Sequence, residues 1–242
     1  MLMVIMDMEG TQMDNGNRFL RNKDLIPQEK LDVIELIGLG GIGSSIISLL
    51  TLMGFKTIKI WDYDKLEEHN LSTSVYPEQY LGQHKTDAAE QTAKLFNSDV
   101  NIIPMTGKFK YGQPIASKVI VCPDNMDARI DAYEQWKMSW GNSQAVSHKD
   151  NDAFFIDCRM DALAMELVTV NVNNDNYMDH FKNDEEIEDA PCTMKHTIFT
   201  SSIIAGHAVG QVFNLLVKNP WYDYIWIGLL PFQVKKSKIN LT

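Results

Sequence analysis

The chain has 242 residues, of which 45% are hydrophobic and 22% are charged, and its formal net charge is −10. This composition is typical of a globular protein long enough to bury a core, and the acidity argues against nucleic-acid binding, which depends on lysines and arginines. No apolar run approaches the roughly 18 residues of a membrane helix, and the N-terminal MLMVIM is too short for a signal peptide, so we expect a cytoplasmic protein that does not bind membranes.

The first part of the chain predicts strands that alternate with helices. We expect residues 1–17 to form a flexible arm and residues 18–242 to form a single domain. The apolar run VIELIG (33–38) predicts a buried strand, GIGSSIISLLTLMG predicts a helix, and KTIKIWDYD predicts a second strand. A strand, a glycine turn, a helix and a strand within about 30 residues are typical of a right-handed βαβ unit.

The remaining elements predict the fold class. Helices are expected over Lys85–Phe96, from about Met126 to Trp140, and over His196–Val217. Strands are expected at NIIPM, SKVIVC, AFFIDC and ALAMELVTV, followed by a closing hairpin of DYIWIGLL and FQVKKSKI. The polar, acidic stretch from Asn173 to Cys192 predicts a mobile loop. The expected architecture is α/β, with a Rossmann-like, mostly parallel sheet flanked by helices and an antiparallel C-terminal extension.

The segment IGLGGIGSS predicts a nucleotide site. Gly38, Gly40 and Gly43 fit the pattern G-x-G-x-x-G, and Gly41 lies in the same turn. Because this turn joins a strand to a helix, the free N–H groups of the first helical turn would face a bound phosphate. Asp62 follows Gly43 by 19 residues, where an acidic side chain typically binds the ribose. The glycines alone do not distinguish ATP from NAD.

The residues at the end of the second strand and after it follow the order of motifs of a known protein family. Asp62, Asp64, Asn70, Gly82 and Lys85 follow one another, and then come NSDV and a strand that ends in CPDN. This order resembles the ThiF/MoeB family, the bacterial relatives of ubiquitin-activating enzymes. The segments RFLRN (18–22) and DNMDAR (124–129) resemble further family motifs.

The resemblance implies an activity. It implies ATP-dependent adenylation of the C-terminal carboxylate of a small ubiquitin-like or sulfur-carrier protein, with release of pyrophosphate. Because the attacking carboxylate is already ionised, the reaction needs charge cancellation and alignment more than acid–base catalysis. The implied cofactors are ATP and Mg²⁺.

The resemblance also implies the site. The nucleotide would contact the glycine turn (Gly38, Gly40, Gly41, Gly43), Asp62, Asp64, Asn70 and Lys85. Lys85 would bring a positive charge to the phosphates and Asp124 would hold Mg²⁺. Arg21 would act on the phosphates of a neighbouring subunit, which implies a homodimer.

One departure from the family pattern leaves the mechanism open. Thr73 stands where the family has an arginine that contacts the phosphates, and threonine cannot span two phosphate oxygens. Either Arg129 or Arg159 substitutes, or turnover is slow, or the chain is a nucleotide-binding interaction protein that activates nothing. A third reading, an NAD-dependent oxidoreductase, is disfavoured by Lys85 and Asp124.

The cysteines favour a reducing compartment and suggest one nucleophile. Cys122, Cys158 and Cys192 lie 36 and 34 residues apart, so no local zinc motif exists. Cys192 is the candidate that would take the acyl group in a second step, as in many relatives. The alternative is a loop cysteine that packs at the start of the last long helix. Cys122, inside an apolar strand, is expected to be a core residue.

Overall fold

The computed structural model describes residues 18–22, 24–141, 152–180, 196–237 and 239–240. Its main sheet has eight strands in the order β3-β2-β1-β4-β5-β6-β8-β9. The ten described strands are β1 (Val33–Ile37), β2 (Thr57–Asp62), β3 (Asn101–Thr106), β4 (Lys118–Val121), β5 (Phe154–Asp161), β6 (Ala164–Asn171), β7 (Trp221–Tyr222), β8 (Tyr224–Leu229), β9 (Phe232–Lys236) and β10 (Ile239–Asn240).

The sheet has a parallel half and an antiparallel half. Strands β1 to β5 pair in parallel, whereas β6, β8 and β9 continue the sheet with antiparallel pairs. Strands β7 and β10 form a separate antiparallel pair. The chain runs outward from β1 to β3 and then returns to β4 on the other side of β1, so the strand order reverses beside β1. Open α/β sheets bind ligands at such a point, at the carboxyl ends of the strands.

Helices cover both faces of the sheet. Among the described residues, the four α-helices are α1 (Gly41–Met53), α2 (Lys85–Phe96), α3 (Met126–Trp136) and α4 (Ile198–Leu216). The buried residues of α1, α2 and α4 join the larger apolar cluster with Ile34 and Leu36 of β1. The buried residues of α3 join a second cluster with Trp61 and Phe155. The parallel strands are therefore buried on both sides, which is why their sequences read as continuous apolar runs.

Local signals explain where these helices begin and end. Asn125 and Thr197 cap α3 and α4, because each side chain accepts a hydrogen bond from a backbone N–H three residues later. Helix α1 ends at Gly54, whose φ of 113° belongs to the left-handed region. A π-helical turn, Lys137–Gly141, extends α3.

The fold class expected from the sequence is confirmed, including the closing β8–β9 hairpin. The acidic loop expected over residues 173–192 is wrong in its first part. A 3-10 helix, Tyr177–His180, lies there, and Tyr177 is fully buried, with its hydroxyl donating to Asp157 Oδ2 at 2.8 Å. The remainder of that loop, together with the proposed arm 1–17 and Cys192, lies outside the described residues.

Helix α4 is the one described helix long and apolar enough to cross a membrane by length and composition. It contains several serines and threonines, so no purely apolar run was apparent in the sequence. Its buried residues pack in the same cluster as α1 and the sheet. Within the most apolar 18-residue stretch of the helix, 44% is buried. The core helix of a globular domain passes the same test of length and composition.

Candidate nucleotide site

The glycine turn lies between β1 and α1, at the point where the strand order reverses. Gly38 has a φ of 95°, and a Cβ added there would lie 2.7 Å from the carbonyl carbon of Cys122. A Cβ on Gly43 would lie 2.0 Å from the Gly38 carbonyl oxygen, and one on Gly41 would lie 2.6 Å from the Thr73 carbonyl oxygen. These three glycines are therefore required for the chain to pack against itself.

Gly40 differs from the other three glycines. An added Cβ at Gly40 meets no atom within 4 Å, and its φ of −72° is open to any residue. Gly40 precedes the first residue of α1, where backbone N–H groups have no partner within the helix. The open side of the turn is thus at Gly40, and this is where a phosphate can approach the backbone.

Asp62, the last residue of β2, braces this turn. Its Oδ2 accepts a hydrogen bond from the Leu39 N–H at 2.7 Å, and its Oδ1 accepts one from the Asp64 N–H at 2.8 Å. Burial raises the pKa of Asp62, and the nearby Lys85 ammonium partly opposes that effect. Because a carboxylate offers about four lone-pair sites, both oxygens keep capacity for the ribose hydroxyls.

Lys85 is the first residue of α2, and only 8% of it is exposed. Its ammonium lies 2.8 Å from Asp64 Oδ2, and its backbone N–H donates to the Asp64 carbonyl oxygen. A cation at a helix N-terminus is unfavourable, and Asp64 offsets this by pairing with it. The structure therefore shows Asp64 as the partner of Lys85, a role that the sequence did not suggest.

Several charged side chains lie near Tyr63. The pKa of the Tyr63 phenol is raised, first by the Asp64 carboxylate and then by burial, Asp124 and Asp62, while Lys85 lowers it. Lys85 and Asp124 therefore both change the pKa of the same phenol, although no direct ion pair joins them in the described part of the chain. Asp124 itself is exposed and accepts one long hydrogen bond, from Asn125 Nδ2 at 3.3 Å.

The loop that carries Asn70 and Thr73 lies against the start of α1. Asn70 Oδ1 accepts from the Glu67 N–H at 3.0 Å, so its side chain closes its own turn, as one reading of the sequence allowed. The Thr73 hydroxyl donates to the Asn70 carbonyl oxygen at 3.3 Å, and the Thr73 carbonyl oxygen rests over Gly41. The position where the family carries its arginine is thus beside the glycine turn.

Neither arginine suggested as a substitute is available to a phosphate in this arrangement. Arg129 binds Asp157 and donates to the carbonyl oxygens of Pro123 and Cys158. Arg159 binds the other oxygen of Asp157 at 2.8 Å and also contacts Glu166. The proposed substitution is therefore not supported, and the family arginine has no replacement at these two positions.

Sequence reasoning missed Asp157. This carboxylate has no solvent exposure and is satisfied by two arginines and by Tyr177. The signal was present in FFIDCRM, where a single acid interrupts an apolar strand, because such an acid must find buried partners. The cluster ties the middle of β5 to the carbonyl group of Pro123, which precedes Asp124.

Cys158 belongs to the core, whereas Cys122, which was expected there, is half-buried and packs against the core. The Cys122 thiol donates to the Gly38 carbonyl oxygen at 3.1 Å, and burial raises its pKa to about 12. Cys158 is fully buried, and burial also raises its pKa well above the ordinary value.

The residues next to Arg21 contact the helix ends that lie away from the glycine turn. Nearby Phe19 packs against Gly54 at the C-terminal end of α1, and Arg18 donates to the carbonyl oxygen of Phe96 at the end of α2. The glycine turn is at the opposite end of α1, a helix of 13 residues, which corresponds to about 20 Å.

Comparisons with known proteins identify the family of the chain. A model of the ThiF family matches residues 24–227. Ubiquitin-like modifier-activating enzyme 5 of Rattus norvegicus is 29% identical over 139 residues, which are 47% of this chain and 34% of that protein. The enzyme of the same name from Xenopus laevis is 30% identical over 139 residues, 47% of this chain and 35% of that protein. The chain thus spans about a third of the length of the curated relatives it matches.

Solved structures share the fold. PaaA aligns with a TM-score of 0.70 at 17% identity, covering 98% of this chain and 79% of PaaA. Escherichia coli MccB, in a crystal structure with ATP, aligns with a TM-score of 0.68 at 16% identity, covering 94% of this chain and 73% of MccB. At these identities the likeness concerns the fold, and the roles of the individual site residues remain predictions.

Proposed function

Because the chain belongs to the ThiF family, we propose that it is an adenylyltransferase that activates the C-terminal carboxylate of a small ubiquitin-like or sulfur-carrier protein. The names of the ubiquitin-like modifier-activating relatives support a protein substrate. The MccB structures with ATP and with MccA support ATP as the co-substrate. The observation that carries the proposal is the open glycine turn after β1, with Asp62 at the end of the neighbouring β2 and Asp124 just after the neighbouring β4.

The reaction follows from these groups. A carboxylate oxygen of the substrate attacks the α-phosphorus of ATP, the bond from that phosphorus to the bridging oxygen breaks, and pyrophosphate leaves. The N–H groups at Gly40 and the start of α1 hold the phosphates, and Asp62 holds the ribose. Lys85 has three N–H donors, so it keeps its bond to Asp64 and still offers two donors to phosphate oxygens. These contacts lower the repulsion between the attacking anion and the polyanion.

Magnesium fits this site only together with the nucleotide. The exposed Asp124 carboxylate is a suitable hard ligand, but the described residues contain no group of three side chains that could hold a metal. Mg²⁺ is commonly held by one or two carboxylates and the substrate phosphates, and when bound it would neutralise phosphate charge. Calorimetry should therefore detect no Mg²⁺ binding to the protein alone. Binding without nucleotide would show that a different metal site exists.

We test the activity by ATP–pyrophosphate exchange with a small carrier protein that ends in Gly-Gly. The wild-type protein should exchange label, and Asp124→Ala should abolish exchange because the metal loses its protein ligand. Asp127→Ala, an exposed acid three residues further along, is the matched control and should keep exchange. Normal exchange by Asp124→Ala would mean that the site is misassigned.

A second candidate is a nucleotide-binding interaction protein without turnover. Thr73 supports it, as does the engagement of Arg129 and Arg159 by Asp157. It predicts ATP binding with no exchange for any carrier tested. A thermal-shift comparison of ATP with NAD separates both candidates from an oxidoreductase, since only the oxidoreductase should be stabilised more by NAD.

We also propose a homodimer in which Arg21 acts across the interface. Nearby Phe19 lies at the end of α1 opposite the glycine turn, about 20 Å away along the helix, which supports a role of Arg21 at a neighbouring site. Arg21→Ala and Asp124→Ala should each be inactive alone, whereas their mixture should regain part of the exchange, because one site per mixed dimer has both groups. A mixture that stays inactive, although mixed dimers form, would contradict action in trans.

The remaining proposals concern Cys192 and the compartment. Cys192→Ser should retain exchange but lose any thioester that forms on the enzyme, which a non-reducing gel with labelled carrier detects. A reducing cytoplasm is the compartment that we propose, and the free thiols of the half-buried Cys122 and the buried Cys158 are compatible with it.

A further inference from the structure

Exposed apolar side chains lie at the C-terminal ends of α1 and α2. Leu52 is in the last turn of α1, and Leu95 and Phe96 end α2. Leu20 and Leu25 lie in the chain that precedes β1. All five are between 42% and 65% exposed, and we call them the helix-end patch. The nucleotide site uses none of them, and apolar side chains exposed together mark a docking surface.

The chain before β1 crosses these two helix ends. Arg18 donates to the Phe96 carbonyl oxygen at 2.6 Å, and the Phe19 ring packs on Gly54, the residue that caps the end of α1. Asn22 then donates its N–H to the Phe19 carbonyl oxygen at 3.0 Å, which turns the chain back. The part of the chain upstream of Arg18 therefore starts from the helix-end patch.

A buried acceptor in the same turn lacks a partner. Asn22 Oδ1 is buried, and it has no hydrogen bond to any described residue. Buried polar groups in folded proteins nearly always have a hydrogen-bond partner. A main-chain N–H of a segment that lies across the helix-end patch would supply the missing donor.

The sequence upstream of Arg18 contains an apolar run that can cover the patch. MLMVIM (1–6) consists of six apolar residues, and the mostly polar sequence DMEGTQMDNGN (7–17) separates it from Arg18. These eleven residues span about 36–40 Å when extended and about 17–20 Å as a flexible chain, so the run reaches the patch. A tether of this length gives an effective concentration of the order of millimolar, so a weak apolar contact is sufficient.

From this arrangement we infer that MLMVIM of the same chain docks on the helix-end patch. Its leucine, valine, isoleucine and methionine side chains leave water against Leu52, Leu95 and Phe96, and this burial supplies the driving force. Arg21 lies within the segment next to the patch, so the docking also fixes the point from which this side chain extends. The docking requires neither ATP nor a carrier protein.

Photo-cross-linking of the full chain tests this docking. Val4 is replaced by the photoreactive amino acid benzoylphenylalanine, and the irradiated protein is analysed on a denaturing gel and by mass spectrometry of its peptides. The cross-link should join residue 4 to peptides that contain Leu52 or Leu95 within a single chain. The same amino acid at Thr11, in the polar tether, is the matched control and should give little of this product.

Variants of the patch test where the run docks. Leu52→Ser together with Leu95→Ser should lower the yield of the cross-link about tenfold, because the run loses part of the apolar surface on which it packs. Leu163→Ser, at an exposed leucine between β5 and β6, should leave the yield unchanged. Urea unfolding checks that the variants are folded.

The other outcomes overturn the docking. A product of twice the chain mass would assign the helix-end patch to a second copy of the chain. Cross-links to other peptides, no cross-link, or an equal loss in Leu163→Ser would show that the run does not lie on the patch. Because none of these measurements uses pyrophosphate exchange, the docking and the adenylation proposal can fail independently.

Discussion

Gly40 allows the binding role of the glycine turn to be separated from its structural role. Replacing Gly40 by alanine adds a methyl group that meets no protein atom within 4 Å, at a φ of −72°. Gly43→Ala adds the same methyl group only 2.0 Å from the Gly38 carbonyl oxygen. The two variants therefore carry the same chemical change in opposite surroundings.

The expected magnitudes differ accordingly. Gly40→Ala should change the free energy of unfolding by less than about 1 kcal/mol, because an unstrained alanine mainly reduces the entropy of the unfolded chain. Gly43→Ala should lower it by about 1–3 kcal/mol or more, since the backbone must move. The methyl group added at Gly40 should also weaken ATP binding, because it lies where the phosphates would contact the backbone. The loss of one charge-assisted hydrogen bond costs about 1.5–3 kcal/mol, which is about tenfold to hundredfold in the dissociation constant.

Urea unfolding measures the first quantity and calorimetric titration with ATP measures the second. The wild type and both variants should be compared under the same conditions. If Gly40→Ala binds ATP with the affinity of the wild type, the phosphates do not pass over the open side of the turn. If Gly40→Ala loses as much stability as Gly43→Ala, the open space at Gly40 has been misjudged.

Three further predictions concern the buried charges and thiols. Asp157→Ala should lower the free energy of unfolding, measured in urea, by about 3–5 kcal/mol, because Arg129 and Arg159 lose their shared partner. Asp161→Ala, at the exposed end of the same strand, should change it by less than about 1 kcal/mol. Equal effects of the two substitutions would contradict the buried network. Burial raises the pKa of Glu35 above its ordinary value of 4.5. Protonated Glu35 therefore contributes its full share of the unfolding free energy below about pH 4.5, and this contribution is lost as the pH rises through the raised pKa. Relative to Glu35→Gln, the wild type should therefore lose unfolding free energy between about pH 4.5 and neutrality, and a gain over that range would refute this sign. In the Cys192→Ser variant, the native protein should resist labelling by iodoacetamide at about pH 8. The reason is that burial raises the pKa of Cys122 to about 12 and that of Cys158 well above its ordinary value. Labelling as fast as in denaturant would show that these thiols are accessible.

The sequence by itself determined the order of elements and the position of the turn. The strands around β1 were predictable because parallel strands buried on both faces leave continuous apolar runs, and the helix from Gly41 to Met53 shows the helical period. The motif from Gly38 to Gly43 was readable for a related reason. Its residues are neighbours in the chain, so their spacing already encodes their geometry.

The tertiary structure alone decided which distant groups meet. Asp64 was ambiguous in the sequence, and its contact with Lys85 depends on how β2 lies beside α2. Arg129 and Arg159 were suggested as phosphate ligands, yet α3 brings Arg129 to Asp157 on β5, where Arg159 already lies two residues along the strand. Because charges interact through space, and the sequence records only their separation along the chain, such pairings and the open side at Gly40 require the folded structure.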